Sequence, residues 1–350
     1  MSNEKKSLST TQKIALVLIL IILLSGTFFG MKLYKVYFSP NVSGTEKYLY
    51  IKTGATANDV IAELTSKHML KDAASFNEAA AKMDLAKRVK PGRYELKKGA
   101  TNRELINKIK SGNQDAVKLK FQNIRRKEEF AGYLAKTLEA DSLAFIKVLD
   151  SAQLVKNYGF TTDNIYTMFI PNTYDMYWNT SPIDFFEKMH KEYTKFWNPE
   201  RLQKAKALNL TPAEVTVLAS IVDGEAIYDK EMPIIAGLYL NRLTRGIKLQ
   251  ADPTVIFANN DFTVKRVTNA LLQVDSKYNT YKYAGLPPGP VMMPSINAID
   301  AVLNKNTNNY IYMCAKEDFS GYHNFAETKA EHEINAKKYR DALNARKIFR

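Results

Sequence analysis

Glu225 is the residue in this chain best placed to move a proton. It lies near the end of Thr211–Ala226, TPAEVTVLASIVDGEA, which carries the clearest helix start in the sequence. Thr211 suits the N-cap, Pro212 the first helical position, and Glu214 completes a capping box. At about 100° per residue, Val215, Leu218, Ala219, Val222 and Ala226 form one apolar stripe. Glu225 falls about 80° to one side of its centre and Asp223 about 80° to the other. The two carboxylates therefore diverge by about 160° and are not expected to share a cleft, Asp223 facing water or a basic partner instead. A carboxyl at the edge of an apolar stripe is partly desolvated, which raises its pKa toward the working range of a general acid. A half-exposed glutamate paired with a lysine would show the same pattern.

The residues that follow suit a sugar. Leu238–Phe257 crowds Arg242, Gln250, Asp252 and Thr254 around a Gly246 turn and a Pro253 stop. Tyr278–Pro294, YNTYKYAGLPPGPVMMP, is aromatic, amide-rich and stiffened by Pro287, Pro288 and Pro290. Tyr278, Asn279 and Tyr281 in such a loop suit recognition of hydroxyl groups, although an ordered turn without a ligand reads the same way. His323, in GYHNFAETKAEH, is a further candidate, though a lone histidine is more often a satisfied structural one. Glu225 as acid with Asp252 as base would make a glycan hydrolase. No metal or cofactor is expected: Cys314 stands alone, none of His68, His190, His323 and His332 form an H-x-x-x-H pair, and no Gly-rich phosphate loop occurs.

The elements that position these residues divide the 350-residue chain into a small and a large part. Ile14–Met31 is an uncharged apolar run of 18 residues, close to the ~20 needed to cross a bilayer, and no A-x-A-like cleavage site follows. It predicts an uncleaved anchor in contact with membrane lipid, with residues 1–13 as a cytoplasmic tail and the rest outside the membrane. Residues 32–46 read as a linker, Ser39–Lys47 being Pro/Gly/Ser-rich. An internal repeat follows: IKTGATANDVIAEL from Ile51 aligns with LKKGATNRELINKI from Leu96 at an offset of 45. Each copy predicts a strand, a Gly-Ala-Thr turn and a helix capped by Thr56 with Asp59 or Thr101 with Glu104. Residues 47–113 are thus a small α+β module, either structural or LysM-like and glycan-binding. Residues 114–350 form the larger α+β domain. Fifty basic against 36 acidic residues give a net charge of +14, which suits anionic lipid or a carboxylate-bearing polymer. The basic residues are scattered, with no nucleic-acid signature, so no nucleic-acid partner is expected. A mean hydropathy of −0.31 excludes a polytopic membrane protein.

Taken in order, Ile170-Pro171-Asn172-Thr173-Tyr174, Leu218–Val222, Glu225, Asn241-Arg242-Leu243, Leu249–Val255, Tyr278–Tyr281, Gly285–Pro290 and His323 to His332 resemble the endolytic murein transglycosylase, YceG-like family. With the anchor and the repeat, the resemblance covers nearly the whole chain. It implies a single-pass protein of the inner (cytoplasmic) membrane with its catalytic domain on the extracytoplasmic side. It also implies a lytic transglycosylase that cuts the β-1,4 bond between N-acetylmuramic acid and N-acetylglucosamine, leaving 1,6-anhydro-muramyl ends and terminating nascent strands. Peptidoglycan strands would be the substrate, peptidoglycan synthases (penicillin-binding proteins) the partners, and Glu225 the catalytic group. One glutamate suffices in that chemistry because the C6 hydroxyl of the muramic acid is the nucleophile. The chain departs from the family pattern at Asp223-Gly224, and at Tyr166-Thr167 where Glu-Gly is usual. A non-catalytic glycan-binding scaffold is the alternative from another class.

Overall fold

A computed structural model describes residues 9–264 and 266–346. The first eight residues of the expected cytoplasmic tail, Lys5 and Lys6 among them, lie outside the described residues. The chain divides into two compact units, residues 1–117 with 176–179, and residues 118–175 with 180–350.

The smaller unit begins with α1 (Thr10–Phe38), a helix long and apolar enough to cross a membrane, with a mean hydropathy of 2.7 over its best window. Its apolar side chains from Ile14 to Met31 face outward. The repeat then builds the module: β1 (Tyr48–Ile51), α2 (Ala57–Ser66), α3 (Ala73–Lys82), β2 (Gly92–Glu95) and α4 (Asn102–Ser111). The repeat-related strands pair antiparallel, Tyr48 with Glu95 and Ile51 with Gly92. Both repeat-related helices open with the expected reciprocal caps. The Thr56 N–H donates to Asp59 at 2.7 Å and the Thr101 N–H to Glu104 at 2.8 Å. Leu49, Ile51, Val60, Leu64, Ile106 and Ile109 pack with Phe76 and Tyr94 as one core.

Residues 32–46, read from the sequence as a linker, pack against this unit. Residues 32–38 continue α1, and Val36 is buried in the module core. Val42 is 1% exposed and pairs with Leu70, while the N–H groups of Asn41 and Val42 both donate to Ala100 O at 3.0 Å. Buried Asn41 donates to Asn102 Oδ1 at 2.7 Å and to Asp72 O at 2.9 Å. Pro, Gly and Ser signal irregular backbone, not detachment; two valines and one hydrogen-bonded asparagine tie the segment down.

In the larger unit, β3 (Val117–Phe121) is followed by α5 (Lys127–Thr137), α6 (Ser142–Leu149), α7 (Ala152–Asn157) and β4 (Asn172–Met176), which pairs with β3. Then come α8 (Pro182–Phe196), α9 (Pro199–Ala207), α10 (Pro212–Glu225), α11 (Met232–Thr244), α12 (Asp252–Asn259) and α13 (Ile296–Leu303). A hairpin of β5 (Tyr312–Ala315) and β6 (His323–Ala326) and the helix α14 (Lys329–Ala345) complete it. The fold is mixed α/β, with short two-stranded sheets among many helices.

Helix α10 differs from its expected one-faced form. Every residue from Val215 to Val222 is buried, because α9, α11, α12 and α13 all pack against it. Its polar residues fit by bonding locally: Thr216 donates to Pro212 O at 2.9 Å and Ser220 to Val217 O at 2.7 Å. A helix enclosed on all sides is a rigid mount for whatever its end carries.

Candidate active site

Three consecutive residues end that helix, and each docks to a different neighbour. Asp223 accepts from the N–H and the hydroxyl of Ser295, the N-cap of α13, both at 2.9 Å. Its expected partner, water or a base, is thus a capping serine. A Cβ on Gly224 would stand 2.9 Å from both Cβ and Cγ of Pro253 at the start of α12, so only glycine fits without displacement. Glu225 Oε1 accepts from the buried Tyr239 hydroxyl of α11 at 3.0 Å.

Glu225 opens onto a cleft of about 430 Å³ shared with Tyr239, Arg242, Gln250, Asp252, Tyr281, the β5 strand, His323 and His332. Burial pushes its carboxyl from the ordinary 4.5 up to about 7, and the neighbouring Asp252 charge pushes the same way. The Tyr239 hydroxyl and the Asp252 backbone N–H, which favour the ionised form, pull back. The C-terminal end of a helix also disfavours negative charge. A carboxyl with a pKa of about 7 can give a proton and take one at neutral pH.

The rest of the cleft is built around this group. Asp252 is held by the Tyr281 hydroxyl at 2.6 Å, and the bond to that carboxylate, after burial, raises the tyrosine's own pKa. Gln250 adopts a left-handed φ of 53° and accepts from Arg242 Nη2 at 2.5 Å. His323 is clamped by buried Glu231, which accepts from its backbone N–H at 2.8 Å and bonds its Nδ1 at 3.0 Å.

Of the expected sugar-contacting residues, the structure gathers Gln250, Asp252, Tyr281 and His323 beside Glu225. It does not bring Thr254, Asn279 or Tyr278 there. Thr254 is fully buried and bonds Ala251 O and the Thr280 hydroxyl; Asn279, also fully buried, spends its amide on Leu272 O and Val274 O. Both hold the loop, leaving nothing for a ligand. Tyr278 lines a separate cavity with Phe257 and Asp163. Tyr166 and Thr167 lie elsewhere and are buried, Thr167 bonding Asn164 O at 2.7 Å. Tyr239 and Glu231 were not anticipated. Tyr239 sits in the apolar run IAGLYLN, where a buried tyrosine hydroxyl needs a partner, and that need is its only sequence signal.

A helix-mounted carboxyl raised toward neutrality stands beside Asp252 in an open polar cleft on a mixed α/β scaffold. The chain belongs to the YceG-like family, whose sequence profile matches residues 49–338. It is 26% identical over 318 residues to a Bacillus subtilis protein named endolytic murein transglycosylase, covering 86% of this chain and 87% of that one. A Streptococcus pneumoniae protein of the same name is 24% identical, over 92% of this chain and 64% of its own length. The crystal structure of a YceG-like protein from Listeria monocytogenes shares the fold, with a TM-score of 0.55 at 23% identity, covering 82% of this chain and 97% of the other.

Proposed function

We propose that this protein is a membrane-anchored lytic transglycosylase that cuts the β-1,4 bond between N-acetylmuramic acid and N-acetylglucosamine within peptidoglycan strands. The observation that carries this reading is Glu225, held near pKa 7 in a cleft on a rigid helix end. In the first half of the reaction its carboxyl protonates the glycosidic oxygen as the bond to C1 breaks. In the second half the resulting carboxylate takes the proton from the C6 hydroxyl as that oxygen bonds to C1. The products are a 1,6-anhydro-muramyl end and a free 4-hydroxyl, and Glu225 is restored. Asp252, fixed by Tyr281, raises the proton affinity of Glu225 and places negative charge beside the cationic transition state. Gln250, Tyr281 and His323 supply hydrogen bonds to the sugars.

Tyr239 and α10 pre-set the acid, and Glu231 sets the orientation of His323. The apolar α1 anchors the chain in the cytoplasmic membrane with both units on the extracytoplasmic side, where nascent strands can be released from their synthases. The repeat module takes the role of a LysM-like glycan holder. A cavity of about 720 Å³ at its first Gly-Ala-Thr loop supports this, walled by Tyr50 and by Trp178, which meet edge to face at 5.1 Å. Mass spectra of products from uncrosslinked strands test the central reading: anhydro ends support it, and reducing ends favour a hydrolase using Glu225 with Asp252.

A further inference from the structure

The cleft is lined by groups of both charges: Glu225 and Asp252 are acidic and Arg242 is basic. Arg242 is only 6% exposed, and it donates to Lys248 O at 2.9 Å, Ile311 O at 2.6 Å and Gln250 Oε1 at 2.5 Å. All three acceptors are neutral, and among the described residues no carboxylate pairs with the guanidinium. A guanidinium has five N–H groups in a fork that matches a carboxylate, so part of its donor set is uncommitted. A buried cation without a counter-charge is costly to keep and awaits an anion.

The neighbours point the same way. The Tyr312 ring lies 5.8 Å from the Arg242 guanidinium carbon, and His332 stacks on Tyr312 at 5.1 Å. His332 Nδ1 is buried without a partner. Burial, then the charges of Arg242 and Arg340, outweigh Glu333 and hold His332 below its ordinary pKa. Arg340 also acts on Cys314, another residue of the cleft wall. Gln250 is held in a left-handed backbone conformation rare for side-chain-bearing residues, with its oxygen on Arg242.

We propose that the part of the cleft lined by Arg242 and His332 is a subsite for a carboxylate carried by the substrate on the sugar beside the scissile bond. Two groups have that chemistry: the lactyl carboxylate of muramic acid and a carboxylate of the peptide attached to it. This rests on the reading of the cleft as the glycan-cutting site, and it adds a consequence. Along a strand, anionic and neutral sugars alternate. A cleft that holds both an acid and a carboxylate receptor accepts the strand in one register, which gives the proposed choice of the bond at C1 of muramic acid over that at C1 of N-acetylglucosamine a physical cause.

The test uses the full-length protein in detergent with uncrosslinked strands, either carrying their peptides or stripped of them so that the lactyl carboxylates are free. Half of each preparation is coupled to methylamine, which neutralises the carboxylates. Neutralisation is expected to lower kcat/KM for anhydro-end release about ten- to a hundredfold in at least one arm, and the arm that responds identifies the source. Arg242→Gln should show most of that loss on charged strands and little further loss on neutral ones. Arg340→Gln, on the exposed face of α14, should show a smaller loss confined to charged strands, and it decides the matter should Arg242→Gln fail to fold. Binding of the same four preparations to Glu225→Gln, alone and combined with Arg340→Gln, repeats the comparison without turnover. Charge-dependent binding that weakens in the double variant supports the subsite even where no anhydro ends form, a result that would refute only the lytic reading. Equal handling of charged and neutral strands, or equal loss on both in the arginine variants, overturns the subsite.

Discussion

Replacing Tyr239 with phenylalanine removes one hydroxyl and leaves the ring in its buried place. That hydroxyl donates to Glu225 Oε1 at 3.0 Å and favours the ionised carboxylate. A hydrogen bond to a charged group contributes about 1.5–3 kcal/mol, and about 1.4 kcal/mol corresponds to one pK unit. Part of the bond survives when the carboxyl is protonated, so the difference is about one unit. Tyr239→Phe should therefore move the Glu225 pKa upward from about 7. General-acid activity requires the protonated form and is lost as pH rises through that value. The alkaline limb of kcat/KM for anhydro-end release should shift about one unit higher. Asp252→Asn removes the charge that pushes the same pKa up, so its limb should shift lower. The assay is the pH dependence of end-group release by both variants. Movement in the same direction, or none, refutes the account of how Glu225 is tuned.

Glu225→Gln should fold and bind strands while releasing anhydro ends at least ~10²–10⁴-fold more slowly, measured by mass spectrometry of the products. Because the folded pKa of Glu225 is raised, the parent's stability from this group is intact below about 4.5 and lost as pH rises through about 7. The difference is at most about 3 kcal/mol, and less because water reaches this partly buried residue. Thermal melts should thus show Glu225→Gln gaining on the parent from pH 5 to pH 8. Asp223→Asn keeps one of the two acceptors for Ser295 and should cost about 1 kcal/mol in a denaturant melt, with end-group chemistry unchanged. Gly224→Ala forces a Cβ to within 2.9 Å of Pro253; it should lose about 1–3 kcal/mol and, by separating Asp252 from Glu225, shift the alkaline limb lower. Trp178→Ala in the full chain should weaken sedimentation with peptidoglycan sacculi without altering the ends produced; unchanged sedimentation would make the repeat module structural only.

What was legible in the sequence was local. The capping boxes at Thr56, Thr101 and Thr211 need only residues three apart, and all are observed. The opposite placement of Asp223 and Glu225 follows from helical geometry alone and is also observed. Burial around α10 was not legible, since a stripe pattern cannot reveal how many neighbours pack on a helix when Thr216 and Ser220 bond within it. The polar loop residues misled for a related reason. Thr254 and Asn279 have the chemistry of sugar binders, but the backbone they hold has the same need for hydrogen bonds, and it took them. Tyr239 was hidden because its partner lies one helix away.

Asp223, Gly224 and Glu225 tie one helix end to α13, α12 and α11 in turn. In the proposed reaction the acid must sit within hydrogen-bond reach of a glycosidic oxygen, and such fixing serves it because small displacements of a proton donor lower the rate steeply. The three ties also divide the work. Asp223 spends its charge on the fold, where a capping serine satisfies it. Gly224 gives up a side chain so that Asp252 can stand close enough to influence Glu225. Glu225 alone keeps a single protein hydroxyl partner and a face open to the cleft. Two carboxylates two residues apart thus take different fates from the same helix, and it is the neighbours, not the residue type, that make one of them an acid near neutral pH.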